Sequence, residues 1–373
     1  MIMIKISIFL IIFMLFILSY SFSQNLTIYQ KNFAVVSLEK EVKLTKGVNF
    51  ITLDEIPQSV GVGNFFIYSS KGNRILEVLY PPTGVFIYSS EDMDDILKIV
   101  YILPNISWNA VHSLFIYKDK LRFSSDIYIQ NRSDMSFQKV KLSVLAGEIN
   151  MERGYQEILP EKSLDILANR AFSEADLKEV EGYKLFDLPG EYSLAKGSTK
   201  IIPIIDAELK NAVKKYVFQY GKVYIIWNVD NKNENGLGIP IPMGNLNIFE
   251  VVGGKVIFLG ESSIPNVAVG EKIEVTQGVD FDIKGERKVL ESKQRIEGKY
   301  EIKEAKVSVE IRNSKKEDVT VEVKEFIYED NVEIVSSNFS YEKIDKNTFV
   351  FYVKVKGESS AILVYNYTSK RLR

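Results

Sequence analysis

Short apolar runs separated by turn residues make up most of this chain. Between residues 24 and 105 the runs are rich in β-branched and aromatic side chains, and Gly or Pro residues stand between them, which is typical of strands joined by turns. From residue 300 onwards apolar and charged residues alternate, as in strands with one face on a core and the other in water. The pattern predicts an all-β fold of several sandwich-like (Ig-like) antiparallel units. The clearest runs are 26–29, 33–38, 48–53, 65–68, 75–80, 85–88, 301–311, 319–328, 348–356 and 360–367.

One stretch has the spacing of a helix instead. Ser173 and Asp176 resemble a capping box, Leu177 and Val180 are three residues apart, and Gly182 is a typical helix stop. A short helical excursion near 152–182 is therefore predicted within the β structure. Further apolar residues extend the stripe backwards, namely Leu164, Leu167, Ala168, Ala171 and Phe172.

A strand that ends in Asn and continues through a turn into another strand occurs three times, at Asn131, Asn231 and Asn313. The phrase indicates several sandwich units, but its copies are too divergent to establish duplication from sequence. The predicted division is a signal peptide at 1–23, an N-terminal β domain at 24–105, a central β domain with the helical insertion at 106–299, and a C-terminal Ig-like sandwich at 300–373.

The first residues have the pattern of a secretory signal. Lys5 precedes an apolar run at 6–18, and Ser21 and Ser23 are small residues at the positions that signal peptidase requires. We expect cleavage after Ser23 and an exported protein that is periplasmic, in the cell envelope or extracellular. The alternative is an uncleaved N-terminal membrane anchor, because the charge-free stretch 6–22 is only slightly shorter than a spanning helix of about 20 residues.

Composition excludes several classes of chemistry. The 47 basic and 49 acidic residues leave a formal charge of −2, so no nucleic acid partner is expected. The absence of cysteine and the single histidine, His112, exclude Cys/His zinc sites, iron–sulfur clusters, thiol nucleophiles and disulfides. A Ser-His-Asp arrangement can rest only on His112, and no cofactor is expected.

The most distinctive sequence of the chain lies between Trp227 and Lys288, and its short motifs resemble those of the domain of unknown function 4139 family. That family consists of β-rich, mostly exported proteins and includes mucoidy-inhibitor-like members. The matching phrases are 236–244 (GLGIPIPMG), 258–261 (FLGE), 270–271 (GE), 278 (G), 281–282 (FD) and 286–287 (ER), with 106–110 (ISWNA), 145–150 (LAGEIN) and 185–188 (LFDL) outside that segment.

The resemblance implies a fold and no catalytic residues, because the family has no established reaction. The N-terminal segment resembles the small β domain that usually precedes the family domain, through the phrases 28–29 (IY), 44–47 (LTKG) and 56–57 (IP). Two positions depart from the family pattern: Asn266 stands where a His is common, and His112 stands where an aromatic residue often follows the Trp. Any chemistry that depends on the missing His is in doubt here.

Two loop motifs were considered as ligand sites. Asn231, Asn233 and Asn235 imitate the start of a calcium loop, but its twelfth position is Pro242 rather than a bidentate acid. The stronger interpretation is a turn, because Asn-Gly is also a hairpin turn signal and Asn tolerates a positive φ. The phrases 61–63 (GVG) and 236–238 (GLG) lack the third glycine, the lysine and the helix of a phosphate-binding loop, and we interpret them as turns.

Carboxylates and the histidine are the remaining catalytic candidates. Glu261, Glu271, Asp280 and Asp282 could supply a pair of acids for glycoside hydrolysis if two of them face one cleft. Strand acids usually face water, however, and a lone His such as His112 is more often structural than a general base. No catalytic, cofactor-binding or metal-binding residue is assigned from the sequence.

Aromatic residues suggest recognition. Trp108, Trp227 and the Tyr-rich strands could stack on sugars, although large aromatics in strands usually belong to the core. The predicted role is non-enzymatic, in envelope structure, assembly or recognition, with another envelope protein or a glycan as partner, and with the membrane only if the leader stays uncleaved. Edge strands of sandwiches can accept a partner's strand. The alternative is a carboxylate-based hydrolase acting on an envelope glycan.

Overall fold

Most of the chain that the structure describes is β-strand. The computed structural model describes residues 24–61, 63–80, 83–118, 120–147, 179–180 and 183–372. The first thirteen strands are β1 (Gln24–Tyr29), β2 (Phe33–Leu44), β3 (Gly47–Thr52), β4 (Phe65–Ser69), β5 (Arg74–Leu79), β6 (Gly84–Ser89), β7 (Met93–Pro104), β8 (Ile106–Ile116), β9 (Leu121–Asn131), β10 (Phe137–Ala146), β11 (Glu179–Val180), β12 (Tyr183–Asp187) and β13 (Tyr192–Leu194).

Thirteen further strands follow in the second half, with one short 3-10 helix at Asn233–Asn235. They are β14 (Thr199–Leu209), β15 (Val213–Gln219), β16 (Lys222–Asp230), β17 (Gly244–Val252), β18 (Lys255–Ile264), β19 (Lys272–Val279), β20 (Ile283–Glu297), β21 (Tyr300–Asn313), β22 (Val319–Phe326), β23 (Glu333–Ser337), β24 (Tyr341–Lys343), β25 (Thr348–Val355) and β26 (Ser359–Leu372).

The predicted all-β fold is confirmed. The predicted helix near 152–182 lies outside the described residues except for Glu179 and Val180, which form a strand. These two residues pair with Lys184 and Tyr183, so they belong to a hairpin rather than to a helix end. The predicted leader at 1–23 also lies outside the described residues. Within the described ranges there is no helix with the length and apolar character that crossing a bilayer requires.

The chain forms two compact units that are discontinuous in sequence. The first takes in the described parts of Met1–Asn109 and Tyr128–Ile201. Its main sheet has the order β11-β12-β10-β1-β2-β7-β4, with β13 also paired to β10, and a smaller sheet has the order β3-β6-β5. The core holds alternate residues of the long strands, because successive side chains of a strand point to opposite faces. Its fully buried members include Leu26, Val36, Ile99, Tyr101 and Val144.

The second unit takes in the described parts of Ala110–Ile127 and Ile202–Arg373. It contains β17 and β18, and a six-stranded sheet of order β19-β16-β15-β22-β25-β24 that is accompanied by a four-stranded sheet of order β20-β21-β26-β23. A five-stranded sheet has the order β14-β9-β8-β17-β18, and its strands β8, β9 and β14 have residues in both units. The domain division at 24–105, 106–299 and 300–373 stays a prediction.

Among the strand pairs whose register is described, three are parallel, although the sequence pattern predicts antiparallel units. They are β1 with β10, β8 with β17, and β15 with β22. Each joins strands that are distant in sequence, which a parallel pair requires because a two-residue turn cannot connect parallel neighbours. All other pairs whose register is described are antiparallel. The pairing of β8 with β17 brings His112 opposite Leu246 and Phe115 opposite Phe249.

Candidate functional site

The Asn231 loop is a backbone scaffold. The Asn231 side chain is fully buried, and its Nδ2 donates to the carbonyl oxygens of Ile239 (2.8 Å) and Ala268 (3.1 Å). Its Oδ1 accepts the N–H of Gly238 at 2.9 Å. Asn235 is also buried, and its amide donates to the Asp230 carbonyl. Because these amide groups are committed to the chain itself, the loop has the hydrogen bonds of a turn and not the free oxygens of a calcium site.

The other two Asn residues of the recurring phrase are bonded in the same way. Asn131 and Asn313 are both buried at the end of a strand. Each donates its Nδ2 to carbonyls of two separate loops and accepts a backbone N–H two residues ahead on Oδ1. We use the name Asn clasp for what Asn131, Asn231 and Asn313 share: Nδ2 donates to carbonyls of two loops, and Oδ1 accepts a backbone N–H from the turn that follows. The donations go from Asn131 to Met135 (2.8 Å) and Ala195 (3.2 Å), and from Asn313 to Glu317 (2.8 Å) and Lys356 (3.1 Å); the accepted N–H groups are those of Ser133 (3.1 Å) and Lys315 (3.0 Å).

Two of the four candidate acids serve as turn anchors. Glu271 accepts the backbone N–H of Ala268 on its Oε2 at 2.7 Å. Asp280 is buried and accepts the N–H groups of Asp282 (2.8 Å) and Ile283 (2.9 Å) on its Oδ1. The side chain therefore closes the turn between β19 and β20.

The other two acids are exposed. Glu261 lies on β18, and Asp282 lies in the turn before β20. Lys315 joins two of the candidates: its Nζ is 3.0 Å from Asp280 Oδ2 and 4.0 Å from Asp282 Oδ2. Among the described residues no three His, Asp or Glu side chains are grouped so that they could hold a metal ion.

His112 is buried in the second unit rather than in a cleft. Its Nε2 donates to the Pro242 carbonyl at 3.0 Å, and its ring stacks on Phe123 at a centroid distance of 5.6 Å. Gly244 permits this approach, because a Cβ there would lie 2.8 Å from His112 Nε2 and 2.4 Å from the Ala110 carbonyl oxygen. Burial lowers the pKa of His112 to about 4, so the imidazole is neutral at pH 7 and out of reach of a substrate.

The buried imidazole should make the protein less stable in mild acid. The pKa of His112 is about 4 in the folded chain and near 6.5 in the unfolded chain, so the unfolded chain binds the proton more tightly. Stability therefore falls as the pH drops from about 6.5 towards 4, by about 3 kcal/mol between pH 7 and pH 4 from this group. Urea unfolding at both pH values measures the loss. The control is His112→Gln, which keeps an N–H donor for Pro242 and should lose about 3 kcal/mol less; an equal pH dependence in both proteins would contradict the assignment.

The two tryptophans differ in availability. Trp108 is buried, and its Nε1 donates to the Leu145 carbonyl at 3.2 Å, so it belongs to the core of the first unit. Trp227 is half-buried, and its Nε1 donates to Gln277 Oε1 at 2.8 Å. Lys214 Nζ lies 5.7 Å from the centre of the Trp227 ring. Trp227 is thus the tryptophan that retains surface for a ligand.

A row of three phenylalanines, which we call the Phe ladder, crosses β8, β17 and β18. The ring centroids are 5.0 Å apart for Phe115 and Phe249, and 5.6 Å apart for Phe249 and Phe258. Sequence reasoning missed the ladder because Phe115 and Phe249 are far apart in the chain and meet only through a parallel strand pair. The phrase FLGE at 258–261 was the available signal.

A buried ion pair was also missed. Glu325 is 5% exposed, and its Oε2 accepts hydrogen bonds from Arg287 Nε (2.8 Å) and from the Tyr365 hydroxyl (2.7 Å). Burial and the neighbouring Glu325 raise the pKa of Tyr365. Arg287 lies on β20, an edge strand of the four-stranded sheet, and Glu325 lies on β22 of the six-stranded sheet, so their ion pair links the two sheets. Arg287 is also part of the family phrase ER.

The glycine-containing loops at 61–63 and 236–238 are turns, as predicted from their sequences. Gly238 has a φ of 103°, and its N–H is used by Asn231. At the other loop the N–H of Asn64 donates to the Gly61 carbonyl at 3.0 Å, and residue 62 lies outside the described residues. Neither precedes a helix among the described elements, so neither offers the N-terminal N–H groups that hold phosphate.

Comparison with known families identifies the chain at the level of family. A family model described as Domain of unknown function (DUF4139) matches residues 97–341, which is more than half of the 373 residues. No curated protein matches the chain. The matched region contains the Asn231 loop, the Phe ladder and Arg287 with Glu325. The chain therefore belongs to the DUF4139 family, whose domain has no known function.

Proposed function

We propose that this chain is an exported, non-enzymatic protein that acts by binding, in the structure, assembly or recognition of the cell envelope. The observation that carries the proposal is the apolar end of the hairpin formed by β17 and β18. Val252, Val256, Ile257 and Phe258 are 53%, 60%, 45% and 55% exposed there. Exposed apolar patches rimmed by polar residues are typical of interaction sites.

The placement of the titratable groups supports binding over catalysis. Asp280 and Glu271 are engaged by backbone N–H groups of their own turns, and His112 is buried and neutral. A glycoside hydrolase needs two carboxyl groups facing each other across a cleft at about 5 to 10 Å. Asp280 and Asp282 both lie within 4.0 Å of Lys315 Nζ, but Asp280 is buried and closes its own turn, which favours binding over the alternative of a carboxylate-based hydrolase.

The partner class follows from the surface. Another envelope protein would use the apolar hairpin end, and a glycan would use the half-buried ring of Trp227, because aromatic faces suit sugar stacking. The near-zero formal charge of −2 supports neither a nucleic acid nor another polyanion. The protein partner is the better supported of the two, since several neighbouring apolar residues are exposed at the hairpin and a single ring at Trp227.

Sedimentation with isolated cell envelopes tests the proposal. The native protein should sediment with envelopes, and its recovered N-terminus is expected at Gln24. Phe258→Ser should reduce the bound fraction several-fold, because it removes the aromatic side chain of the hairpin end. Phe281→Ser is the matched control, since Phe281 is 85% exposed in a different turn. Equal loss in both variants would contradict a specific site.

A second readout addresses the hydrolase alternative. The same supernatants should contain no glycan fragments above the level released by buffer. Time-dependent release that disappears in Glu261→Gln or Asp282→Asn would replace the binding role with catalysis, because both acids are exposed and could reach a substrate.

A further inference from the structure

Strand β18 is the edge strand of the five-stranded sheet; β19 approaches it without pairing in the same sheet, and the exposed first half of β18 is apolar. Val256, Ile257 and Phe258 are consecutive and exposed, and Lys255 is the only charged residue from Val251 to Gly260. An edge strand presents unpaired N–H and C=O groups, so an apolar edge of this kind favours pairing with another strand. The side chains add a second constraint, because both faces of the hairpin end are apolar.

The turn before β18 fixes which backbone groups are free. Gly253 and Gly254 have φ values of 57° and 77°, as a type I′ turn requires of its two central residues. Val252 and Lys255 pair directly across this two-residue turn. The pair that flanks such a turn exchanges both of its backbone hydrogen bonds, and hydrogen-bonded and non-hydrogen-bonded pairs then alternate along the hairpin.

It follows that Lys255 and Ile257 direct their backbone groups to β17. Val256 and Phe258 direct their N–H and C=O groups to the free edge. Their side chains share one face with Phe249, because Phe258 pairs with Phe249 in the ladder and Val256 lies two residues away. Ile257 projects on the opposite face. The register shift after Phe258 then interrupts the regular pattern.

We propose that the free edge of β18 pairs with the β18 edge of a second copy of this chain, antiparallel, about a twofold axis at Ile257. The inference rests on the proposed role in assembly and names the partner. In this register Val256 of each copy lies opposite Phe258 of the other, and both residues have free backbone groups, so each such pair exchanges two hydrogen bonds. Ile257 lies opposite its counterpart as the non-hydrogen-bonded pair on the axis.

The side chains are complementary to themselves in this register, as a twofold interface requires. The opposed pairs formed by residues 256–258 are all apolar, and Val256 of the second copy extends the Phe ladder beyond Phe258. Lys255 of one copy lies opposite Leu259 of the other and two positions from its Glu261, which is within reach of long side chains on a diagonal. A single partner therefore pairs the open edge and places apolar neighbours beside the side chains of both faces.

Another edge of the same chain is protected against pairing. Strand β20 is exposed from Glu286 to Glu297 and carries six charged residues besides Arg287 in that stretch, together with a register shift near Val289. Charged side chains and bulges are the devices that keep edge strands single. Strand β18 lacks such charges between Val256 and Gly260, so its edge is open where that of β20 is blocked. The contrast supports a dedicated use of β18.

A cysteine scan tests the register, and the cysteine-free chain makes the scan free of background. Directly opposed non-hydrogen-bonded residues have Cα atoms about 4.5 Å apart, within the range that a disulfide spans. We expect Ile257→Cys in the full chain to form a covalent dimer under mild oxidation. Val252→Cys is the matched control, because Val252 is similarly exposed on the same face of the hairpin but lies on β17, away from the edge.

Sedimentation velocity over a range of concentrations supplies an independent measurement. The wild-type chain should show a concentration-dependent dimer. Ile257→Lys should weaken it about a hundredfold, because it opposes two like charges on the axis. The new Lys faces Glu250 within its own hairpin, so the fold should persist, as circular dichroism would verify.

Each other outcome overturns the pairing. Equal cross-linking of Val252→Cys and Ile257→Cys would contradict the proposed register. A wild-type chain that stays monomeric at all concentrations would contradict the dimer. A monomer that binds vesicles of anionic lipid through Phe258 would place a lipid surface on the hairpin instead. A monomer that still sediments with envelopes would keep the proposed function and refute only the self-pairing.

Discussion

Replacing Glu325 with Ala is expected to lower the free energy of unfolding by about 2 kcal/mol. Glu325 Oε2 accepts hydrogen bonds from both Arg287 and the Tyr365 hydroxyl, and the carboxylate is 5% exposed. Its removal leaves the buried Tyr365 hydroxyl without its acceptor, whereas the Arg287 guanidinium, whose side chain is 38% exposed, regains water, so the loss comes mainly from the buried hydrogen bond. Urea unfolding at pH 7 measures the loss.

Two variants calibrate this result. Tyr365→Phe removes one hydrogen bond to Glu325 and leaves the Arg287 ion pair, so it should cost about 1 to 2 kcal/mol. Glu304→Gln breaks an ion pair with Arg295 whose side chains are 46% and 54% exposed, and it should change the unfolding midpoint little because such surface pairs are screened by water. A Glu325→Ala protein as stable as Glu304→Gln would show that the buried carboxylate does not hold β20.

The Asn clasps should be comparably sensitive. Asn231→Ala removes two donated hydrogen bonds and one accepted one at a fully buried site, and we expect a loss of about 3 kcal/mol, since each buried group left without a partner costs about 1 to 3 kcal/mol. Asn131→Ala and Asn313→Ala should give losses of the same size, because each leaves the same pattern of groups unpaired. Thermal and urea unfolding of the three variants test this equivalence.

An isosteric change sharpens the test. Asn231→Asp keeps the shape but turns two N–H donors into a carboxylate oxygen facing the carbonyls of Ile239 and Ala268, so it should destabilise more than Asn231→Ala at pH 7. Asn233→Ala is the control in the same loop, because Asn233 is exposed. If Asn231→Ala costs no more than Asn233→Ala, the clasp does not carry the turn.

The clasps show how far the sequence pattern reaches. The repeated phrase at Asn131, Asn231 and Asn313 is visible in the sequence, and it predicts a turn after each strand because Asn side chains bond to nearby backbone groups. The sequence does not predict that the three Asn side chains make equivalent hydrogen bonds, because one carbonyl partner of each comes from a distant segment. These partners are Ala195, Ala268 and Lys356. Spatial contacts across such distances have no periodicity in the sequence.

The candidate acids show the opposite limit. The residue types of Glu271 and Asp280 permit catalysis as readily as turn capping, because a carboxylate accepts hydrogen bonds in both roles. Only the positions of the backbone N–H groups of Ala268, Asp282 and Ile283 assign these acids to turns. The same applies to His112, whose neutral state follows from burial and not from its neighbours in the chain.

By itself the sequence determined the all-β class, the family and the exclusion of cysteine chemistry, because these depend on local alternation, short phrases and composition. The tertiary structure alone decided which strand edges are open, which polar groups are buried and which aromatics meet. The physical reason is that strand pairing is non-local: β8 meets β17, and β20 meets the sheet of β22 through Arg287 and Glu325, only after the chain has folded back on itself. The apolar run from Val256 to Phe258 is visible in the sequence, but only the structure shows that it lies on an edge strand.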